Sequence, residues 1–276
     1  YLYQAPLYGP DKADGNYDAA YSRIFTYNSI LTGLKTASGN ETEMSRVRAE
    51  ALAGRALEYL TLVGIYGPSY DKGRAAEIKT VALLTDNDIN HKDLSPATQE
   101  EVYRQIIADL TEALPALPDQ PSGNAYRMSK GAGYGIFARA AWQMRDYETA
   151  LKYAHKALET KSELVDYKTL DFNEEEWQAG VRNSYPEALL NPENILIRHL
   201  SPLRGLDEYA LVGHEIPGLF EGTKDRRREI FITSVPGGSA ESCPPGELVW
   251  NPAIRPNVGI STPEMYLIAA ECEARV

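Results

Sequence analysis

The stretch GYGIFARAAWQMRDYETALKYAHKALE, Gly133 to Glu159, constrains this chain more than any other. Its small and aromatic residues recur as in a tetratricopeptide hairpin, a repeat of roughly 34 residues in which two antiparallel helices touch. Tyr134, Phe137, Ala138 and Ala141 fall at the packing positions of the first helix, while Ala150, Ala154 and Ala157 run along the second. Alanine at these places lets two backbones approach; a larger side chain would force them apart or strain the core. Asp146 and Tyr147 mark the turn, and Arg145 stands where the pattern usually has a turn glycine. Helical repeats are mostly scaffolds, so the reading begins with binding rather than catalysis.

The same periodicity extends to both sides. Tyr17, Tyr21, Ile24, Asn28, Leu31 and Leu34 follow the three- and four-residue steps of an amphipathic helix. A second helix, from about Thr42 to Ile65, places Ala49, Leu52, Ala53, Ala56, Tyr59, Leu60 and Val63 on one stripe. Tyr66-Gly67-Pro68 ends it, since glycine serves as a helix stop and proline cannot continue one. Val81, Leu83 and Leu84 predict a short buried extended piece. Thr98 with Glu101 forms a capping-box signature for a helix through Val102, Ile106, Leu110, Ala113 and Leu117. Ser129 is placed to cap the helix that opens the hairpin. Past Ser162 the period is lost: Ile195-Leu196-Ile197 and Ile230-Phe231-Ile232 read as short strands among Gly- and Pro-rich loops. A last helix, from about Pro263, puts Met265, Ile268, Ala269 and Cys272 on one face.

The predicted fold class is therefore mostly α, a tetratricopeptide-like helical-hairpin scaffold with a loop-rich region containing short strands. Residues 1–162 form the scaffold, 163–262 an irregular ligand-facing region, and 263–276 the start of a further scaffold helix pair, all within one domain. With 28 basic and 39 acidic residues the net charge is −11, which argues against nucleic acid as the main partner. Cys243 and Cys272 make no disulfide framework and lack metal spacing. No run approaches the roughly 20 apolar residues that span a bilayer. The chain opens on YLYQAPLYGPDK without a signal peptide and stops inside a helix, so both edges read as cut from a longer protein.

Motifs for chemistry are few. His91, His155, His199 and His214 form no short metal pair, and no nucleophile elbow or phosphate loop is present. Asp86, Asp88 and Asn90 imitate the start of a calcium loop, but His91 and Ala97 stand where its glycine and closing glutamate belong. Glu174-Glu175-Glu176 reads as an exposed helix start rather than a glycosidase acid. Arg226-Arg227-Arg228, between Asp225 and Glu229, reads as an ion-paired surface strand entry. Neither a metal nor a cofactor is expected, and no catalytic residue.

In order and spacing, several segments together resemble the SusD-like (RagB/SusD) family. They are YSRIFTYNSIL (Tyr21–Leu31), RAEALAGRALEYLTLVGIYGPSYD (Arg48–Asp71), VALLT (Val81–Thr85) and TQEEVYRQIIADLTEALPALP (Thr98–Pro118). ARAAWQMRDYETALKYAHKAL (Ala138–Leu158), NPEN (Asn191–Asn194), KDRRREIF (Lys224–Phe231) and PEMYLIAAECEA (Pro263–Ala274) continue the series. The resemblance implies four tetratricopeptide-like pairs carrying an irregular region, and a non-catalytic role. It implies a nutrient-binding lipoprotein on the outer membrane of a glycan-foraging bacterium, anchored by a lipidated cysteine. Such a protein passes oligosaccharides, or in some members peptides, to a SusC-like TonB-dependent transporter. The lipidation cysteine, the segment before the first helix and the second helix of the last hairpin are missing from this chain.

Sugar capture asks for aromatic rings against pyranose C–H faces, with planar polar groups for the hydroxyls. Candidates are aromatics off the helical stripes and their polar neighbours: Tyr66, Tyr70 and Asp71 after the second helix, then Trp177, Arg182, Asn183, Tyr185, Tyr209, Trp250 and Asn251 in the irregular half. Loops on a rigid frame are the usual carriers of such contacts. The expected partners are an oligosaccharide or polysaccharide and the transporter. The alternatives are a peptide-binding member of the same family and a tetratricopeptide adaptor for protein partners. An adaptor is disfavoured because the repeats stop near Leu158.

Overall fold

Each scaffold helix starts where a short polar side chain can satisfy the first free amides. Asp14 accepts from the Asn16 amide at the head of α1 (Gly15–Gly33), and Asn40 accepts from Glu43 at the head of α2 (Glu41–Tyr66). Thr98 and Glu101 complete the expected capping box of α3 (Gln99–Ala113). Ser129 caps α4 (Lys130–Gln143), and three residues later α5 (Tyr147–Thr160) returns beside it. The computed structural model describes residues 14–91, 93–121, 123–170, 172–173, 180–181, 185–199, 212–213, 215–220, 225–233, 249–250, 254 and 257–276.

Those residues fall into two compact units. The first takes in the chain up to Gly123, then Arg127–Thr160 and Glu264–Val276; the second takes in Asn124–Tyr126 and Lys161–Pro263. In the first, α1 packs on α2, α2 on α3, and α4 on α5, with α4 also against α2 and α3. The alanines predicted to line the last hairpin are buried completely: Ala138, Ala150, Ala154 and Ala157 have no exposed surface. Phe137 adds a ring stacked on Tyr153, with centroids 4.0 Å apart. Between strands β1 (Lys79–Ala82) and β2 (Pro96–Thr98) the pairing is antiparallel, with Val81 and Ala82 buried and Leu83 and Leu84 half-buried beyond the strand.

Helix α2 departs from its predicted single stripe. Every residue from Ala49 to Val63 except Glu50 and Thr61 is buried, because α1, α3, α4 and β1 cover it from all sides. Such a helix must hold its polar side chains in pairs. Arg55, 5% exposed, donates Nε and Nη2 to the two carboxylate oxygens of Asp109 at 2.8 and 2.7 Å, and Nη1 to Asn28 Oδ1 at 2.7 Å. Asn28 in turn donates to the carbonyls of Leu84 and Asp86, so α1, α2 and α3 jointly fix the chain after β1. At the C-terminus of α2, Gly67 adopts an ordinary extended backbone rather than a left-handed cap. Its role is close approach, since a Cβ there would lie 2.7 Å from the Val63 carbonyl oxygen.

In the second unit, β3 (Phe172–Asn173) pairs with β4 (Gly180–Val181), β5 (Asn194–Leu196) with β8 (Ile260–Ser261), and β6 (Ile232–Thr233) with β7 (Val249–Trp250), all antiparallel. Ile230 and Phe231 are not in a strand. They end a short helix, α6 (Arg226–Phe231), and only Ile232 continues as β6. Asp225 decides this by accepting from the Arg227 amide as an N-cap, and Arg227 and Arg226 pair with Asp225 and Glu229 along it. The arginine run is thus ion-paired as expected, but on a helix. Leu170, Ile230 and Ile254 form the buried cluster here. The final helix, α7 (Thr262–Arg275), buries Met265, Ile268, Ala269 and Cys272, as its pattern predicted.

Candidate functional site

The turn after α2 is built by Gln99, which is 1% exposed. Its amide nitrogen donates to the Pro68 and Ser69 carbonyls at 2.8 and 3.2 Å, and its Oε1 accepts from the Asp71 backbone at 3.2 Å. This clamp aims Tyr70 edge-on at Tyr103, with ring centroids 4.9 Å apart. Tyr103 donates its hydroxyl to Gln143 Oε1 at 2.8 Å, linking α3 to the end of α4. On the preceding residue, Trp142 donates Nε1 to Glu271 Oε2 at 2.7 Å. Arg275 donates to the other oxygen of that carboxylate at 2.7 Å, and its guanidinium lies 4.9 Å above the Tyr147 ring. Tyr70, Tyr103, Trp142, Tyr147, Glu271 and Arg275, together with Arg145, line a cleft of about 620 Å³ within the first unit.

Electrostatics in the cleft follow from those contacts. Burial pushes the Tyr103 hydroxyl up to about 12, and burial followed by the nearby Glu100 charge raises Tyr70, so both stay neutral donors at ordinary pH. The Trp142 N–H, then Arg275, hold Glu271 below the usual carboxylate range, so it is an anion. The lining therefore carries two guanidinium groups against one carboxylate. Aromatic faces beside amide and guanidinium groups form the kind of lining that orients a polar ligand with a flat apolar face.

The sequence-predicted residues end in different places. Tyr70 lines the cleft. Tyr66 instead donates to Asp14 Oδ2 at 2.7 Å and packs edge-on against Tyr17 at 5.2 Å, bracing the start of α1. Asp71 is exposed and accepts from the Gly73 amide, closing its own turn. Tyr185, in the second unit, packs edge-on against Phe231 beside the Leu170–Ile230–Ile254 cluster, and burial pushes its hydroxyl up to about 12. Trp250 lies in β7 opposite Ile232, its side chain outside the described set. Trp177, Arg182, Asn183, Tyr209 and Asn251, like Glu174-Glu175-Glu176, lie outside the described residues. A second cleft, in the second unit, also of about 620 Å³, is lined by Tyr167, Lys168, Leu219 and Asp225 to Arg227.

Asp86 and Asp88 spend carboxylate oxygens on the backbone amides two residues ahead, and His91 lies 2.7 Å from Asp86. Among the described residues no group of three His, Cys, Asp or Glu side chains could hold a metal ion, and no helix is long and apolar enough to cross a membrane.

Residues 7–141 match the model of a family described as starch-binding and associating with the outer membrane, SusD-like. Three solved structures share the fold. A SusD-like carbohydrate-binding protein from Bacteroides vulgatus ATCC 8482 superposes with a TM-score of 0.71 at 23% identity, over 94% of this chain and 57% of that one. In fold the chain is SusD-like.

A SusD superfamily protein from Bacteroides thetaiotaomicron VPI-5482 gives a TM-score of 0.74 at 19% identity, over 94% of this chain and 61% of its own. A laminarin-binding SusD-like protein gives 0.68 at 22%, over 95% and 67%. The chain thus spans about 57 to 61% of the length of the first two relatives. No curated protein matches it. Sequence reasoning missed Trp142, Glu271 and Arg275 as cleft residues. The available signal was Trp142, a large ring set beside the alanine positions but off their face. Glu271 and Arg275 arrive from about 130 residues further on, and no local period reports that.

Proposed function

We propose that this SusD-like protein captures oligosaccharides without transforming them and passes them to a TonB-dependent transporter at the outer membrane. The observation that carries this reading is the match of residues 7–141 to a family described as starch-binding and outer-membrane-associated. The laminarin-binding relative, alike in fold, supports a glycan as the ligand class. Physical support comes from the scaffold itself. A stiff frame of packed hairpins can present aromatic side chains with little loss of freedom on binding. Trp177, Arg182, Asn183, Tyr209, Trp250 and Asn251 are the proposed contacts in the irregular half; Tyr70 is the proposed contact in the helical half. Attachment to the cell surface through a lipid anchor belongs to the same proposal.

Affinity electrophoresis of the purified protein through a panel of polysaccharides tests it. Retardation by one class, weakened by Trp177→Ala or Trp250→Ala and unaccompanied by shortened product, is the expected result. Indifference to every sugar, with binding to peptides instead, overturns the glycan reading.

A further inference from the structure

The α4–α5 turn contains an anomaly. The Asp146 amide bonds the Ala141 carbonyl and the Arg145 amide bonds the Trp142 carbonyl, the paired bonds of a Schellman helix end. That motif needs a left-handed residue, which is usually glycine. Here it is Arg145, at φ 59°, and among the described residues no other non-glycine has positive φ. A side chain in this region clashes with its own backbone by about 1–2 kcal/mol. Strain of this kind persists where the residue is wanted for something else.

What Arg145 contributes is a guanidinium at the cleft beside Tyr70 and Trp142. Glu271 and Arg275 satisfy one another and hold Trp142 and Tyr147. The Arg145 guanidinium, in contrast, has no ion pair or hydrogen-bond partner among the described residues. We propose that this cleft binds the uronic acid unit of an acidic oligosaccharide, Arg145 taking the sugar carboxylate and the Tyr70 and Trp142 rings taking its C–H face. A planar guanidinium matches a carboxylate with two parallel N–H bonds, which a hydroxyl cannot reproduce. The cleft lining itself carries two guanidinium groups and one carboxylate, on a chain of net charge −11. The cleft volume, about 620 Å³, accommodates a short stretch of sugar units. The assignment rests on the glycan-binding reading above and adds its ligand class.

Calorimetric titration of the purified protein with oligogalacturonate, its methyl ester and a neutral galactose oligomer tests the proposal. Oligogalacturonate is expected to bind, and the ester and neutral oligomer at least about tenfold more weakly, as loss of a charge-assisted pair implies. Arg145→Gly should lose the same tenfold while melting no lower than the parent, which separates a ligand contact from a structural one. Arg145→Lys keeps the charge without the fork and should fall between. Equal affinity for oligogalacturonate and its ester, or undiminished binding by Arg145→Gly, overturns the assignment. Binding of neutral glycans alone overturns it and leaves the wider glycan reading standing. Failure of every sugar, with capture of a peptide through its C-terminal carboxylate, overturns both.

Discussion

Arg145 gives the sharpest prediction at the scale of single residues. Glycine would relieve the left-handed clash but would gain freedom in the unfolded chain, so the two effects partly cancel. Arg145→Gly is expected to stabilise the protein by about 0.5–1 kcal/mol, and Arg145→Ala, which keeps the Cβ, should not. Urea titration of the three proteins measures this. Glu193 carries a second prediction. It is 7% exposed, its Oε1 accepts from the Val165 amide at 2.9 Å, and burial raises its pKa above the ordinary 4.5. A raised carboxyl contributes stability that is complete below 4.5 and is lost as pH rises through the folded value. Glu193→Gln keeps the acceptor without the charge, so it should melt above the parent at pH about 7.5, with the difference vanishing near pH ~4. A difference independent of pH would count against burial as the cause. Of these residues, Arg145 was visible in the sequence as the mismatch in an otherwise good repeat. Glu193 was visible only as part of the NPEN segment, since nothing local reports that a carboxylate will be covered.

Among the elements, local chemistry was the most legible layer. The capping box of α3, the Ser129 cap of α4 and the alanine face of the last hairpin each depend on residues within a few positions of one another. The failures had two causes. Ile230-Phe231-Ile232 is too short an apolar run to tell helix from strand, and the Asp225 cap tipped it to helix. For α2 the stripe was right but incomplete, because a helix covered by four elements buries its polar side as well. That burial makes Arg55 and Asp109 the critical pair, at 6% and 3% side-chain exposure. Asp109→Asn would strand a buried guanidinium and is expected to cost about 3–5 kcal/mol. Replacing both partners, Arg55→Met with Asp109→Leu, should cost clearly less than that single change, because no charge is left unpaired. Equilibrium unfolding of the two variants decides the point: a double variant worse than the single would mean that Asn28 and the chain at Leu84–Asp86 depend on the arginine itself.

For the whole molecule, periodic and non-periodic sequence behave differently. The helical unit was legible because a repeat states its packing face over and over. The other unit was legible only in part: Ile195-Leu196-Ile197 read as a strand and β5 lies there, but strands of two or three residues have no period to read, and the partners that fix them lie far apart in sequence. The β5–β8 pair joins distant positions, with Asn194 opposite Ser261 and Leu196 opposite Ile260. Gly259 is the residue that permits it: a Cβ there would lie 2.0 Å from the Leu196 carbonyl oxygen, a backbone atom that cannot swing aside. Around it Asn257 donates to Asn194 Oδ1 and the Leu196 carbonyl, each at 2.9 Å, so a shift of either strand breaks bonds on both. Gly259→Ala is therefore expected to cost on the order of 2–3 kcal/mol, as forced overpacking does. Where that loss falls is the more telling question, and hydrogen exchange resolves it. If the two compact units hold together independently, Gly259→Ala should strip protection from Asn194–Ile197 and Val258–Ser261 while the amides of α2 and α3 keep theirs. Asp109→Asn should do the reverse. If either substitution lowers protection equally in both sets, the chain unfolds as one cooperative body, and the division into a periodic frame and a separately held irregular unit fails.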